Sequence, residues 1–301
     1  MSFLQKWNKL FHRDSQRKNE IHRKKLLASL LKLRVSLCNK KQMLQIIKSY
    51  LKFLYHSKNE HGVHSPFVFN LVTKCFYDKK KYAEYYILKN YRNALLQNKN
   101  TIEVSDFGAG SRVFKSNTRA INQIASNAGI STKRAELLFR ITSYFKPQSI
   151  LEIGTSLGLA TSALSLGNKK AKITTLEGCL NTLFQCQYQL QKYNINNVEC
   201  VNTEFKSYLQ NFQLPTSNFQ LIYFDGNHSK QATLEYFELL LPTITNESVW
   251  IFDDIHWSTE MEEAWGIIKN HPKVTITIDT FQWGIVFFRI EQEKEHFVIW
   301  A

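Results

Sequence analysis

The sequence lacks the cysteine pattern of a zinc module or a disulfide scaffold. Its five cysteines, Cys38, Cys75, Cys179, Cys186 and Cys200, include no CxxC pair, and none stands beside a histidine at zinc-ligand spacing. They read as reduced thiols, which fits a cytoplasmic protein. No run of about 18 apolar residues exists, and no apolar leader with a small-residue cleavage site stands near the N-terminus. Neither a transmembrane segment nor export is indicated. An acidic surplus is missing too: 39 Lys and Arg face 25 Asp and Glu, for a formal net charge of +14. The excess is uneven. Residues 1–50 hold 13 Lys and Arg against Asp14 and Glu20, a balance of +11, which leaves +3 for the rest of the chain.

What is present suits a folded chain of one large domain with an extension or of two modest domains. Hydrophobic residues make up 44% and aromatics 13%, enough for a substantial core and an apolar ligand site. Residues 1–55 alternate basic and aliphatic positions and read as a basic helical arm. A solvated arm, an anionic lipid surface and a nucleic acid all remain open as its setting. Residues 56–132 read as an N-terminal cap or substrate segment. Within it, Ser65 and Pro66 predict a capped helix start. His61 and His64 form an HxxH pair, but Gly62 and Pro66 favour a loop, and no third ligand is adjacent. The run Asp106-Phe-Gly-Ala-Gly110-Ser-Arg112 looks like a phosphate-cradling turn after a short strand at 102–104. The polar, basic stretch that follows it makes a packed turn the better reading.

Residues 133–301 change character. An amphipathic helix at 133–145, stopped by Lys146-Pro147, precedes short apolar runs at 149–153, 173–176, 198–201, 219–224 and 249–252. Helical patterns near 158–166, 180–193, 230–241 and 259–269 separate or follow them. This alternation predicts an α/β fold with a parallel sheet covered on both faces. The last two runs, 274–278 and 285–290, are joined too closely for a parallel crossover and must pair antiparallel.

Chemistry concentrates at the predicted strand ends. After the first comes Glu152-Ile-Gly154-Thr-Ser-Leu-Gly158, where glycine lets the backbone pass close to a ligand and the next helix supplies oriented amides. The Gly-x-x-x-Gly spacing departs from the Gly-x-Gly-x-x-Gly that holds a pyrophosphate. Glu177 ends the second strand, where a carboxylate can accept both hydroxyls of a ribose. The fourth strand ends in Asp225-Gly-Asn-His228 and the fifth in Asp253-Asp254-Ile-His256. Adjacent strands open at the same edge, so these aspartates should converge. Their mutual repulsion calls for a cation, and hard oxygen ligands suit Mg2+. An imidazole at His228 facing a substrate is suited to take a hydroxyl proton near pH 7; otherwise it caps or packs at a helix start.

At these residues the chain resembles the class I S-adenosylmethionine (SAM)-dependent methyltransferases, over about residues 133–290. The resemblance implies a Rossmann-like sheet, mostly parallel with an antiparallel last strand, behind an N-terminal helical extension. It places the methionine end of SAM at Glu152, Gly154 and Ser156, within the turn that includes Thr155 and Gly158. It also implies ribose at Glu177 and adenine near Glu204. The aspartates look like those of metal-dependent small-molecule O-methyltransferases, with Asp225, Asp253 and Asp254 at metal positions and Asp225 and His228 in the catalytic role. Asp254 stands where catechol-type enzymes carry Asn, and His228 where they carry Lys. The DGxHS string resembles a broad methyltransferase family. The resulting expectation is O-methylation of a small-molecule acceptor. Two alternatives stand beside it: an RNA methyltransferase that uses the basic arm, and a catalytically silent scaffold. Against the nucleic-acid alternative, Asp225-Gly-Asn-His is not the Asn/Asp-Pro-Pro-aromatic string of base amine methyltransferases.

Overall fold

Helical spacing of apolar residues forms α1 (Lys40–His56), which buries Tyr50 and Phe53 and exposes Leu51 and Tyr55. The computed structural model describes residues 40–105, 116–211 and 218–301. The first 39 residues of the basic arm and the Asp106–Arg112 turn lie outside them. The division between the chain's two units falls at Ile47/Lys48. No helix among the described residues is long and apolar enough to cross a membrane.

After α1, a single 3-10 turn at Glu60–Gly62 leads to α2 (Pro66–Leu71). As the Ser-Pro pair predicts, the Ser65 hydroxyl accepts from the Val68 amide and Pro66 occupies the first helical turn. His61 and His64 are exposed, and the imidazole of His61 lies 3.6 Å from Glu60. A π-helical turn (Val72–Phe76) and α3 (Glu84–Gln97) follow. Next come an antiparallel pair, β1 (Thr101–Glu103) and β2 (Thr118–Ala120), then α4 (Ile121–Asn127) and α5 (Thr132–Phe145). Lys146 ends α5 in the left-handed region, at φ 50°, and Pro147 prevents its continuation.

The second half alternates strand and helix. It runs β3 (Ser149–Ile153), α6 (Leu159–Gly167), β4 (Lys172–Glu177), α7 (Leu180–Lys192), β5 (Val198–Asn202) and α8 (Phe205–Asn211). It continues with β6 (Leu221–Phe224), α9 (Lys230–Leu240), β7 (Val249–Asp253) and α10 (Thr259–Asn270), then β8 (Ile276–Asp279), β9 (Trp283–Phe287) and β10 (Glu295–Val298). The sheet order is β10-β8-β9-β7-β6-β3-β4-β5, and β9 runs antiparallel to both β7 and β8. This is the Rossmann-like arrangement with a reversed strand that the sequence pattern implies. The edge strand β10, parallel to β8, is an addition that the pattern does not reveal.

Side chains alternate across this sheet and divide the core into two layers. Ile150, Ile173, Leu221, Tyr223, Val249, Ile251, Ile285 and Phe287 face a layer built from α2 to α7. Leu151, Ile153, Ile222, Phe224, Trp250, Phe252 and Val286 face α8, α9 and α10. The segment expected as a cap contributes to the first layer. The hydroxyl of Tyr91, a fully buried residue, donates to the Leu157 carbonyl, and Arg140 donates to the carbonyls of Cys75 and Phe76. The chain leaves β3 toward β4 on one side and returns to β6 on the other, so a crevice opens at the carboxyl ends of β3 and β6.

Candidate functional site

The turn after β3 is built from hydroxyls and carboxylates that bind one another. Glu152 is fully buried, and its Oε2 accepts from the hydroxyls of Thr161 and Thr175 at 2.5 Å each. Thr155, also buried, shares a 2.5 Å contact with Thr175. Burial pushes the Glu152 carboxyl up to about 8, against the lowering effect of the two threonines. Its Oε1 is buried with no hydrogen-bond partner among the described residues.

The glycines are also required by contacts within the protein. Gly154 has φ +103°, and a Cβ there would lie 2.5 Å from the carbonyl oxygen of Asp225. It allows the β3 turn to touch the end of β6, where the Asp225 amide donates to Ile153 at 2.8 Å. Gly158, at φ +76°, heads α6 where a Cβ would meet Cys186 Sγ and Tyr91 Oη, each at 2.5 Å. Both glycines therefore permit close packing within the protein, and the crevice owes its shape to that packing.

Left-handed backbone also occurs at four non-glycine residues following strands of this sheet: Ser156 (φ 48°), Asn227 (φ 50°), Asp254 (φ 53°) and Phe281 (φ 72°). Such conformations gather where surrounding structure holds a loop in a set shape. Glu177 fixes the first of these loops, accepting from the Ser156 amide at 2.8 Å and the Cys179 amide at 3.0 Å. Glu204, the expected adenine contact, stands just beyond β5 at the start of α8. It is exposed, and its carboxylate accepts from the Lys206 and Ser207 amides and the Ser207 hydroxyl at the start of α8. The Ser207 bonds hold its carboxyl below the ordinary value.

Asp225, His228, Asp253 and Asp254 converge as expected. His228 Nε2 lies 3.5 Å from Asp225 Oδ1. Burial opposes the imidazolium, but bonding to Asp225 and the fields of Asp254, Asp225 and Asp253 push the imidazole up to about 9. The expected base near pH 7 is thus faced by three carboxylates that favour its protonated form above that range.

A further cation among the carboxylates, beside His228, comes from a residue the sequence did not single out. Arg134, on the first turn of α5, is ion-paired to Asp253 Oδ1. The same oxygen accepts the Asp254 amide at 2.8 Å, and Asp253 Oδ2 faces the Tyr223 hydroxyl at 3.4 Å. Burial raises the Asp253 carboxyl above its ordinary value, and the Arg134 charge opposes that rise. The guanidinium lies 4.9 Å from the Trp283 ring centroid. The donor set does not fit the expected Mg2+, because the Arg134 guanidinium already sits against Asp253 as its counter-charge. Among the described residues, no group of three or more His, Cys, Asp or Glu side chains could hold a metal.

His256 anchors the loops beyond β7 and β8. Its Nδ1 meets Glu262 and its Nε2 meets Asp279, each at 2.8 Å, while its ring stacks on Phe281 at 5.3 Å. Phe281 in turn packs against Tyr50 and Phe53 of α1. Burial works against the imidazolium, but the two carboxylates overcome it and push His256 up to about 9. A folded-state value above the unfolded one adds stability that is complete below pH ~6.5 and disappears as pH rises through ~9. The expected contribution is roughly 3 kcal/mol. His228 is raised in the same direction. Urea unfolding should therefore show stability falling from pH 6.5 to 9, with a shallower fall in His256→Gln. An identical slope in that variant would contradict the clasp.

Residues 151–255 match the profile of a family described as a methyltransferase domain. No curated protein matches the chain. A similar solved structure is the S-adenosylhomocysteine-bound methyltransferase PaMTH1 of Podospora anserina. It is 13% identical over 75% of this chain and 97% of that one, with a TM-score of 0.52. The O-methyltransferase of Bacillus cereus in complex with S-adenosylhomocysteine is 17% identical over 71% and 95%, with a TM-score of 0.48. At these identities the likeness is one of fold.

Proposed function

We propose that this chain, whose residues 151–255 form a methyltransferase domain on the class I fold, transfers the methyl group of SAM to an oxygen nucleophile of a small molecule. One observation carries the reading: the crevice between β3 and β6 brings Glu177 and the Ser156 turn to one side and the Asp225–His228 pair to the other. On this reading the cofactor residues and the proton-transfer pair stand at neighbouring strand ends, β4, β3 and β6 being adjacent in the sheet.

The residues of the β3 turn suit the cofactor. Glu152 Oε1, buried and unpartnered, is an acceptor that the ammonium of the methionine end, or a water beneath it, would satisfy. Glu177 can accept the ribose hydroxyls while its bonds to Ser156 and Cys179 hold it in place. Glu204 acts as the cap of α8 and shapes the adenine side indirectly.

Bound SAM supplies an electrophilic methyl group on a sulfonium. The protein positions an acceptor hydroxyl in line with the methyl-sulfur bond and removes its proton. Neutral His228 takes that proton, and Asp225 orients the imidazole and stabilises the imidazolium that forms. The loops at 255–262 and 279–284, held by His256, form the acceptor side. No metal step enters this scheme.

The reading is tested by incubating the full chain with methyl-labelled SAM, a panel of small hydroxylated acceptors and bulk RNA, all in EDTA. Label in a small acceptor as an ether or ester supports it. Label confined to RNA would favour the basic-arm alternative, and binding of SAM without any transfer would favour a silent scaffold.

A further inference from the structure

We infer that Arg134 is the built-in cation of the acceptor side, occupying by charge the role that a divalent metal would fill among these aspartates. The inference rests on the methyltransferase reading for its location, and on the side-chain geometry for its content.

Three carboxylates at neighbouring strand ends need a compensating positive charge. Arg134 reaches them from α5, an element outside the strand-end loops, and pairs with Asp253. It interacts electrostatically with Asp253 most strongly, then with Tyr223, Asp254 and Asp225. That pairing holds the guanidinium charged despite its burial. Packing fixes its position: the plane lies over Trp283, a fully buried residue of β9, the antiparallel strand beside β7. Asp253 already accepts from three donors, Arg134 and the Asp254 amide on Oδ1 and Tyr223 on Oδ2, so a metal would have to compete with the guanidinium for it. A dication brought beside a resident guanidinium would also meet like-charge repulsion.

The arrangement makes a prediction that a merely structural ion pair does not. Removing the guanidinium should leave His228 as the remaining counter-charge and let Asp253 turn toward Asp225 and Asp254, giving Mn2+ or Mg2+ hard oxygens that the present arrangement does not gather around one point. The experiment is titration of Mn2+ followed by electron paramagnetic resonance on the full chain. The proteins are wild type, Arg134→Lys, Arg134→Gln and the double variant Arg134→Gln/Asp253→Asn, each checked for folding by circular dichroism. Wild type and Arg134→Lys should not bind Mn2+ at sub-millimolar concentration. Arg134→Gln should bind about tenfold or more tightly than wild type, and the double variant should lose the gain. Sub-millimolar Mn2+ binding by wild type that Asp253→Asn removes would overturn the inference. So would a folded Arg134→Gln that gains nothing. Should Arg134→Gln fail to fold, wild type and Arg134→Lys decide: silence in both supports the inference, and binding in either overturns it. Mn2+ binding is read independently of methyl transfer, so a failed acceptor screen would leave the role of Arg134 standing.

Discussion

Replacing Gly154 with alanine should destabilise the protein by about 3 kcal/mol or more and weaken S-adenosylhomocysteine binding by about a hundredfold. Two independent penalties fall on one methyl group. The backbone stands at φ +103°, which an L side chain rarely adopts, and the new Cβ would sit 2.5 Å from the Asp225 oxygen, 2.7 Å from its carbonyl carbon and 2.9 Å from the Gly226 nitrogen. These are backbone atoms at the end of β6, so no rotamer change relieves the contact. Any relaxation must part the β3 turn from β6, moving the Ser156 loop and Asp225 together. Gly266→Ala provides the control. It lies within α10, where a Cβ would meet nothing within 4 Å, and should be neutral or stabilising by roughly 0.5–1 kcal/mol. Urea unfolding and calorimetry read both. Near-wild-type stability and affinity in Gly154→Ala would contradict the proposed close approach.

His228→Ala should lower kcat by about 10²–10⁴-fold while leaving SAM affinity within a few-fold. The pH profile identifies the role. With His228 near 9, only about one molecule in a hundred carries a neutral imidazole at pH 7. kcat/KM should therefore climb close to tenfold per pH unit above 7 and level off near 9. Asp225→Asn removes a raising influence on His228, so its profile should shift toward acid as its maximum falls. A flat profile from pH 7 to 9, or His228→Ala within about threefold of wild type, would reduce His228 to a helix-start residue.

Much of the fold is legible because burial on both faces writes β3, β4, β6 and β7 as apolar runs, and because the short link between β8 and β9 permits only antiparallel pairing. β10 escapes notice because Glu-His-Phe-Val buries only Phe297 and gains its register from β8, far away in sequence. At the site, the strand-end acids and His228 can be located by position, but their partners cannot. Arg134 sits in a helix whose amphipathic pattern fully accounts for the surrounding residues, and nothing local ties it to Asp253, 119 positions later. The partners of His256 stand 6 and 23 positions away. The glycine spacing marks a tight turn correctly, yet only the structure shows that the space is needed for Asp225, Tyr91 and Cys186. Repulsion among the aspartates points to a cation, which the sequence reading takes to be Mg2+; an arginine meets the same electrostatic requirement, and Arg134 is paired to Asp253.

Calorimetric titration of the full chain with SAM and S-adenosylhomocysteine, in EDTA and then in magnesium, tests the central claim most directly. The account predicts micromolar binding of both ligands, unchanged by magnesium and weakened in Glu177→Ala by about tenfold or more. Absence of binding in either condition, or full affinity in Glu177→Ala, would contradict it.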